Sequence, residues 1–88
     1  MQTDRRRWCD DEGRWHLDVR GHSPPQPFVE IVAQLEERER RDGAAACFVA
    51  HLDRDPVMLY PELAERGWTA ERVEGDDDEV RLLLRRAG

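Results

Sequence analysis

Residues 14–20, Arg14-Trp15-His16-Leu17-Asp18-Val19-Arg20, alternate in character: Trp15, Leu17 and Val19 are apolar, and His16, Asp18 and Arg20 are polar. A period of two marks a strand with one buried face. Gly21 breaks the pattern, and His22-Ser23-Pro24-Pro25-Gln26-Pro27 follows. Prolines suit the first turn of a helix, where a missing N–H loses no partner, and Ser23 is an N-cap candidate. Phe28, Ile31, Val32 and Leu35 then recur at helical spacing, with Glu30, Gln34, Glu37 and Arg38 on the opposite face. The spacing predicts a helix from about Pro25 to Arg41, closed by Asp42-Gly43.

Outward from this unit the chain repeats the alternation of element types. Ala44 to Leu52 reads as a second strand, with Phe48, Ala50 and Leu52 on one face and Cys47, Val49 and His51 on the other. Asp55-Pro56 is an N-cap and first-turn pair for a second helix striped by Leu59, Leu63 and Tyr60. Pro61 lies inside it, so this helix is kinked or begins as a tight turn. Gly67 closes it. Trp68–Glu74 and Glu79–Arg86 are strands joined by a short acidic turn, which predicts an antiparallel hairpin.

The predicted order is β-α-β-α-β-β. A helical crossover between the first two strands favours a parallel pair, and the last two run antiparallel. Each helix has one apolar stripe, and two helices cover one face of a four-stranded sheet. The expected fold is therefore α+β: a two-layer α/β sandwich, with a four-stranded mixed sheet, two helices on one face and the other face open. It occupies residues 14–88 as one domain. Residues 1–13 are expected to be a flexible N-terminal arm, because they hold little apolar content beyond Trp8 and Cys9. Docking of Trp8 would be the exception.

A parallel pair brings the carboxyl ends of its strands to one edge, where open α/β sheets bind ligands. Arg20, Gly21, His22 and Ser23 should meet His51, Asp53, Arg54 and Asp55 there, beside two helix starts that favour an anion.

Composition narrows the function. The chain has 88 residues and a formal charge of −6, from 20 acids and 14 bases. Net acidity argues against nucleic acid as a partner, since nonspecific binding draws on phosphate neutralisation. No run approaches a membrane span, and no apolar leader opens the chain, so a cytoplasmic protein is expected. All the bases are arginine, which excludes lysine Schiff-base chemistry. Two cysteines are too few for a disulfide framework. No nucleophile–base pair, phosphate loop or metal-ligand spacing stands out, so the reading points away from an enzyme and assigns no cofactor and no metal.

Leu17-Asp18-Val19-Arg20-Gly21, the proline loop, and Asp55-Pro56 with Leu59, Pro61, Glu62, Leu63 and Gly67 resemble the uncharacterised bacterial domain-of-unknown-function family 2249. That family is related to TusA/SirA-like sulfur carriers. The resemblance spans about Trp15 to Arg85 and implies a TusA/SirA-like α/β sandwich. Such carriers start their first helix with cysteine-proline-x-proline, where the cysteine holds a persulfide. In Pro24-Pro25-Gln26-Pro27, Pro24 stands in the place of that cysteine. The resemblance therefore implies a kept loop frame that has lost its transfer thiol.

The leading expectation is a non-catalytic ligand- or protein-binding module. Its candidate contact residues are Arg20, His22, Ser23, Pro24, Pro25, Pro27, His51, Asp53, Arg54 and Asp55, facing a protein partner or a small anionic ligand. Two alternatives are a sulfur or redox carrier using Cys47 or Cys9, and a metal-binding accessory of nitrogen-oxide or oxygen metabolism built on His16, His22, His51 and Asp53. The open sheet face and the outer strands offer surfaces for a homodimer.

Overall fold

The computed structural model describes residues 6–21, 26–75 and 79–87. Its elements are β1 (Arg7–Cys9), β2 (Trp15–Asp18), α1 (Gln26–Asp42), β3 (Cys47–Leu52), α2 (Leu59–Glu65), β4 (Trp68–Val73) and β5 (Val80–Arg86), with a short 3-10 turn at Gly43–Ala45. The sheet order is β1-β2-β3-β5-β4. The β2–β3 pair is parallel, with Leu17 opposite Ala50, and the other pairs are antiparallel. The mixed α+β sheet and its closing hairpin are as predicted.

The sheet has five strands where four were expected. The extra strand is β1, which lies inside the segment read as a flexible arm. It pairs with β2 through Trp8 opposite His16 and Cys9 opposite Trp15. The turn between them is built by Asp10, whose Oδ1 accepts the N–H groups of Glu12 and Arg14 at 2.9 Å each. Gly13 sits at φ +84, a left-handed conformation that glycine adopts without a steric penalty. A hairpin this short closes at little entropic cost, so three residues suffice once Trp8 has a surface to cover.

The helices share one face. Ile31 and Leu35 of α1 and Leu59 and Leu63 of α2 join Leu17, Phe48, Ala50, Leu52, Leu82 and Leu84 in one buried cluster. The inward set of β3 is the one its alternation predicts. The polar face of α1 needs correction, because Gln34 and Arg38 are buried, at 3% and 6% exposure. The fifth strand covers Gln34, to whose Oε1 Arg7 donates at 3.3 Å. The Arg38 guanidinium lies 4.6 Å above the Trp15 ring and pairs with Asp42 at 3.2 Å. A guanidinium on an aromatic face keeps a favourable partner when it loses water.

The second helix is shorter than its sequence suggests. Val57 N–H donates to Asp55 O and Leu59 N–H to Pro56 O, making a tight turn before α2. Pro61 then falls in the first helical turn, where no backbone donor is missed. Asp55 does not cap the helix; its carboxylate accepts the Tyr60 hydroxyl instead.

Candidate binding groove and histidine network

The parallel β2–β3 pair delivers its two exit loops to one edge, as the sequence predicts. They are tied there directly: the Gly21 N–H donates to Asp53 Oδ2 at 2.7 Å, and the Val19 N–H to His51 O at 3.0 Å. Between the start of α1 and the β3–α2 loop lies a groove of about 300 Å³. Val19, Pro27, Phe28, Ile31, Leu52 and Leu59 form its apolar walls, and Asp53, Arg54, Asp55, Val57 and Met58 its rim. Met58 is 82% exposed and Val57 65%.

The rim charges differ in availability. Asp53 is engaged by Gly21, and Asp55 by Tyr60. Burial first, and the Asp55 hydrogen bond second, push the Tyr60 phenol up to about 12. Arg54 is exposed and forms no ion pair among the described residues. One guanidinium therefore stands beside an apolar recess.

Of the predicted contact residues, Pro27, Asp53, Arg54 and Asp55 meet at this groove. His22, Ser23, Pro24 and Pro25 lie outside the described residues. Arg20 and His51 point elsewhere. His51 faces away from the helices by its position on β3, and Arg20, two residues past β2, is on that same face, where it pairs with Asp18 at 2.9 Å and Glu79 at 3.0 Å. Cys9 is exposed on β1, and Cys47 is half-buried at the start of β3; both are free thiols. Among the described residues no group of three or more His, Cys, Asp or Glu side chains is placed to hold a metal.

The open face carries an arrangement that sequence reasoning did not assemble. Asp10 Oδ2 lies 2.8 Å from His16 Nε2, His16 Nδ1 lies 2.9 Å from His51 Nε2, and His51 Nδ1 lies 3.2 Å from Glu79 Oε1. Glu79 also accepts from Arg81 Nε at 2.6 Å and from Arg20 Nη1 at 3.0 Å. The Trp8 ring lies over the pair, stacked 5.0 Å from His16 and tilted at 5.3 Å from His51. The alternation of β2 and β3 already put His16 and His51 on the same face. What hides the network from the sequence is that Trp8 and Asp10 read as an arm, while Glu79 reads as the start of the last strand with no partner in view.

Burial raises the cost of charge on His51 and lowers its pKa, with Glu79 opposing in part. Burial acts on Glu79 as well, but its hydrogen bonds from Arg81 and His51 outweigh it and hold that carboxyl below the ordinary range. Gly75 makes room for this corner, since a Cβ there would stand 2.8 Å from Glu79 Oε1.

The family model of uncharacterized conserved proteins DUF2249 matches residues 16–86. The chain belongs to this family. The DUF2249 match takes in the groove, His16, His51 and Glu79, whereas Trp8 and Asp10 precede it. No curated protein and no solved structure matches the chain.

Proposed function

We propose that this DUF2249 chain is a non-catalytic binding module. Its groove takes an apolar group that carries a carboxylate, as at the apolar C-terminus of a partner protein. The observation that supports this reading is the pairing of a 300 Å³ apolar recess with the exposed Arg54 on its rim. Asp53 and Asp55, the two acids beside Arg54, each accept a hydrogen bond within the chain, and among the described residues neither is ion-paired with Arg54. The described lining offers no thiol, hydroxyl, imidazole or amine to act as a nucleophile. Burying one leucine-sized side chain contributes about 1.5–3 kcal/mol. A charged hydrogen bond contributes a similar amount. The cost of association leaves affinity for a small probe near the millimolar range, about −4 kcal/mol.

The test is an amide-shift titration of the full chain with acetyl-Ala-Ala-Leu, its C-terminal amide, and hexanoate. The free peptide is expected to shift Val29, Arg54, Val57 and Met58 and to saturate, with the amide at least threefold weaker. Arg54→Gln should remove that difference. Hexanoate binding as tightly as the peptide would assign the site to a small acid. Unsaturable shifts, or shifts confined to other faces, would overturn the proposal.

A further inference from the structure

The histidine network can be read by counting protons. Three hydrogen bonds link Asp10, His16, His51 and Glu79 in a row. Both ends are carboxylates, which only accept when ionised. Three ring N–H protons must therefore come from two imidazoles, that is, from one imidazolium and one neutral ring. Two neutral rings supply two protons, and one bond is lost. Two imidazolium rings supply four, and the central N–H groups face each other. All three bonds coexist only when the pair holds a single extra proton.

The surroundings of the two rings are unequal. His51 is 5% exposed, on the central strand and under Trp8. His16 is nearer solvent and 2.8 Å from the Asp10 carboxylate. Among the described residues, the charged groups around the pair are Asp10 from the β1–β2 turn, Asp18 and Arg20 from β2 and its exit, Glu79 and Arg81 from β5 and its approach, and Arg6 before β1, which donates to Asp18 O and Arg20 O. Both helices lie on the other face of the sheet. His16 donates from Nε2 to Asp10 and His51 donates from Nδ1 to Glu79, so the third proton lies between His16 Nδ1 and His51 Nε2.

We propose that the His16–His51 pair is a proton-counted latch for β1, closing on one shared proton and gripping Trp8 and the β1–β2 hairpin most firmly in that state. Loss of the proton as pH rises opens the central bond, and gain of a second as pH falls opens it again. A coupled pair of this kind titrates in two macroscopic steps. The consequence is a bell-shaped attachment of β1. Releasing Trp8 uncovers both imidazole rings, so the latch governs access to the open face.

Ring ¹⁵N shifts of the full-length protein between pH 4.5 and 8.5 test this directly. Two coupled steps are expected, with three ring N–H protons shared by the pair between them. Exchange protection of the Asp10 and Asp18 amides, which bond to Arg14 O and Arg6 O, reports β1 attachment. Normalised to the Arg86 amide, it should be about three- to tenfold higher inside the window than on either side. His16→Gln should flatten the profile, and Asp10→Asn should move its alkaline limb to lower pH. Independent single-step titrations, or protection that does not change with pH in the native chain, would overturn the latch. So would a bell that survives in His16→Gln.

Discussion

His16 Nδ1 and His51 Nε2 lie 2.9 Å apart, although the residues stand 35 positions apart in the chain. The contact crosses the parallel β2–β3 ladder diagonally and ends on Glu79, a carboxylate whose side chain is 1% exposed. The open face of this sheet thus carries a continuous polar row beneath an indole.

Acid should weaken the fold in two stages. His51 has a lowered pKa, so the fold prefers its neutral form; the stability this lends is present above pH 6.5 and lost as pH falls through the lower folded value. Glu79 is also lowered, so its contribution is present above about pH 4.5 and lost below. Urea midpoints measured from pH 7 downward should fall along both limbs. Glu79→Gln should cost about 1–3 kcal/mol at pH 7, by leaving Arg20, Arg81 and His51 short of a partner. It should also remove the limb below pH 4.5.

The tie between the two exit loops should carry measurable stability. Asp53→Ala removes the acceptor of the Gly21 N–H and should cost about 0.5–1.5 kcal/mol in chemical denaturation. Asp53→Asn keeps an oxygen at that position and should cost less.

At the groove, stability and binding should separate. Met58 is 82% exposed, so Met58→Glu should change stability by less than about 0.5 kcal/mol while weakening binding of the leucine peptide. Leu59, at 2% exposure, is part of the core. Leu59→Ala should cost about 2–5 kcal/mol.

The chain has one tyrosine, which makes its ionisation easy to follow by absorbance. Tyr60 should stay protonated through pH 10 and ionise near pH 12, because of burial first and the Asp55 acceptor second. A raised pKa lends stability below the unfolded value near 10, which is lost as pH rises toward 12. Asp55→Asn should bring the ionisation down toward 10.

Period-two and helical spacing made most of the elements legible, because each buries one face and their residue types alternate accordingly. Phe48, Ala50 and Leu52 point into the core as their alternation requires. The gathering of Gly21 and Asp53 at one edge followed from strand direction alone. β1 was not legible, since three residues show no period and their stability comes from Trp8 lying on His16. Gln34 reads as solvent-facing for the same reason, since its partner Arg7 lies on β1, whereas Arg38 is buried against Trp15 of β2, a cation–ring contact that helical spacing does not reveal. Strand-end position groups Arg20 and His51 with the groove residues, although the alternation of β2 and β3 already puts them on the open face. Strand-end arguments locate an edge, and only side-chain alternation decides a face.

The sheet order also has a kinetic corollary. Hairpins 7–18 and 68–86 are each local in sequence, and they occupy opposite rims of the sheet. They come together only through Cys47–Leu52, which pairs with β2 across the whole of α1 and with β5 across α2 and β4. Such long-range pairing must bear the loop-closure entropy before any contact repays it. The slow event in folding is therefore the docking of both rims onto this central segment. Truncations at Phe48 should retard folding, whereas changes in the β1–β2 turn should mainly hasten unfolding.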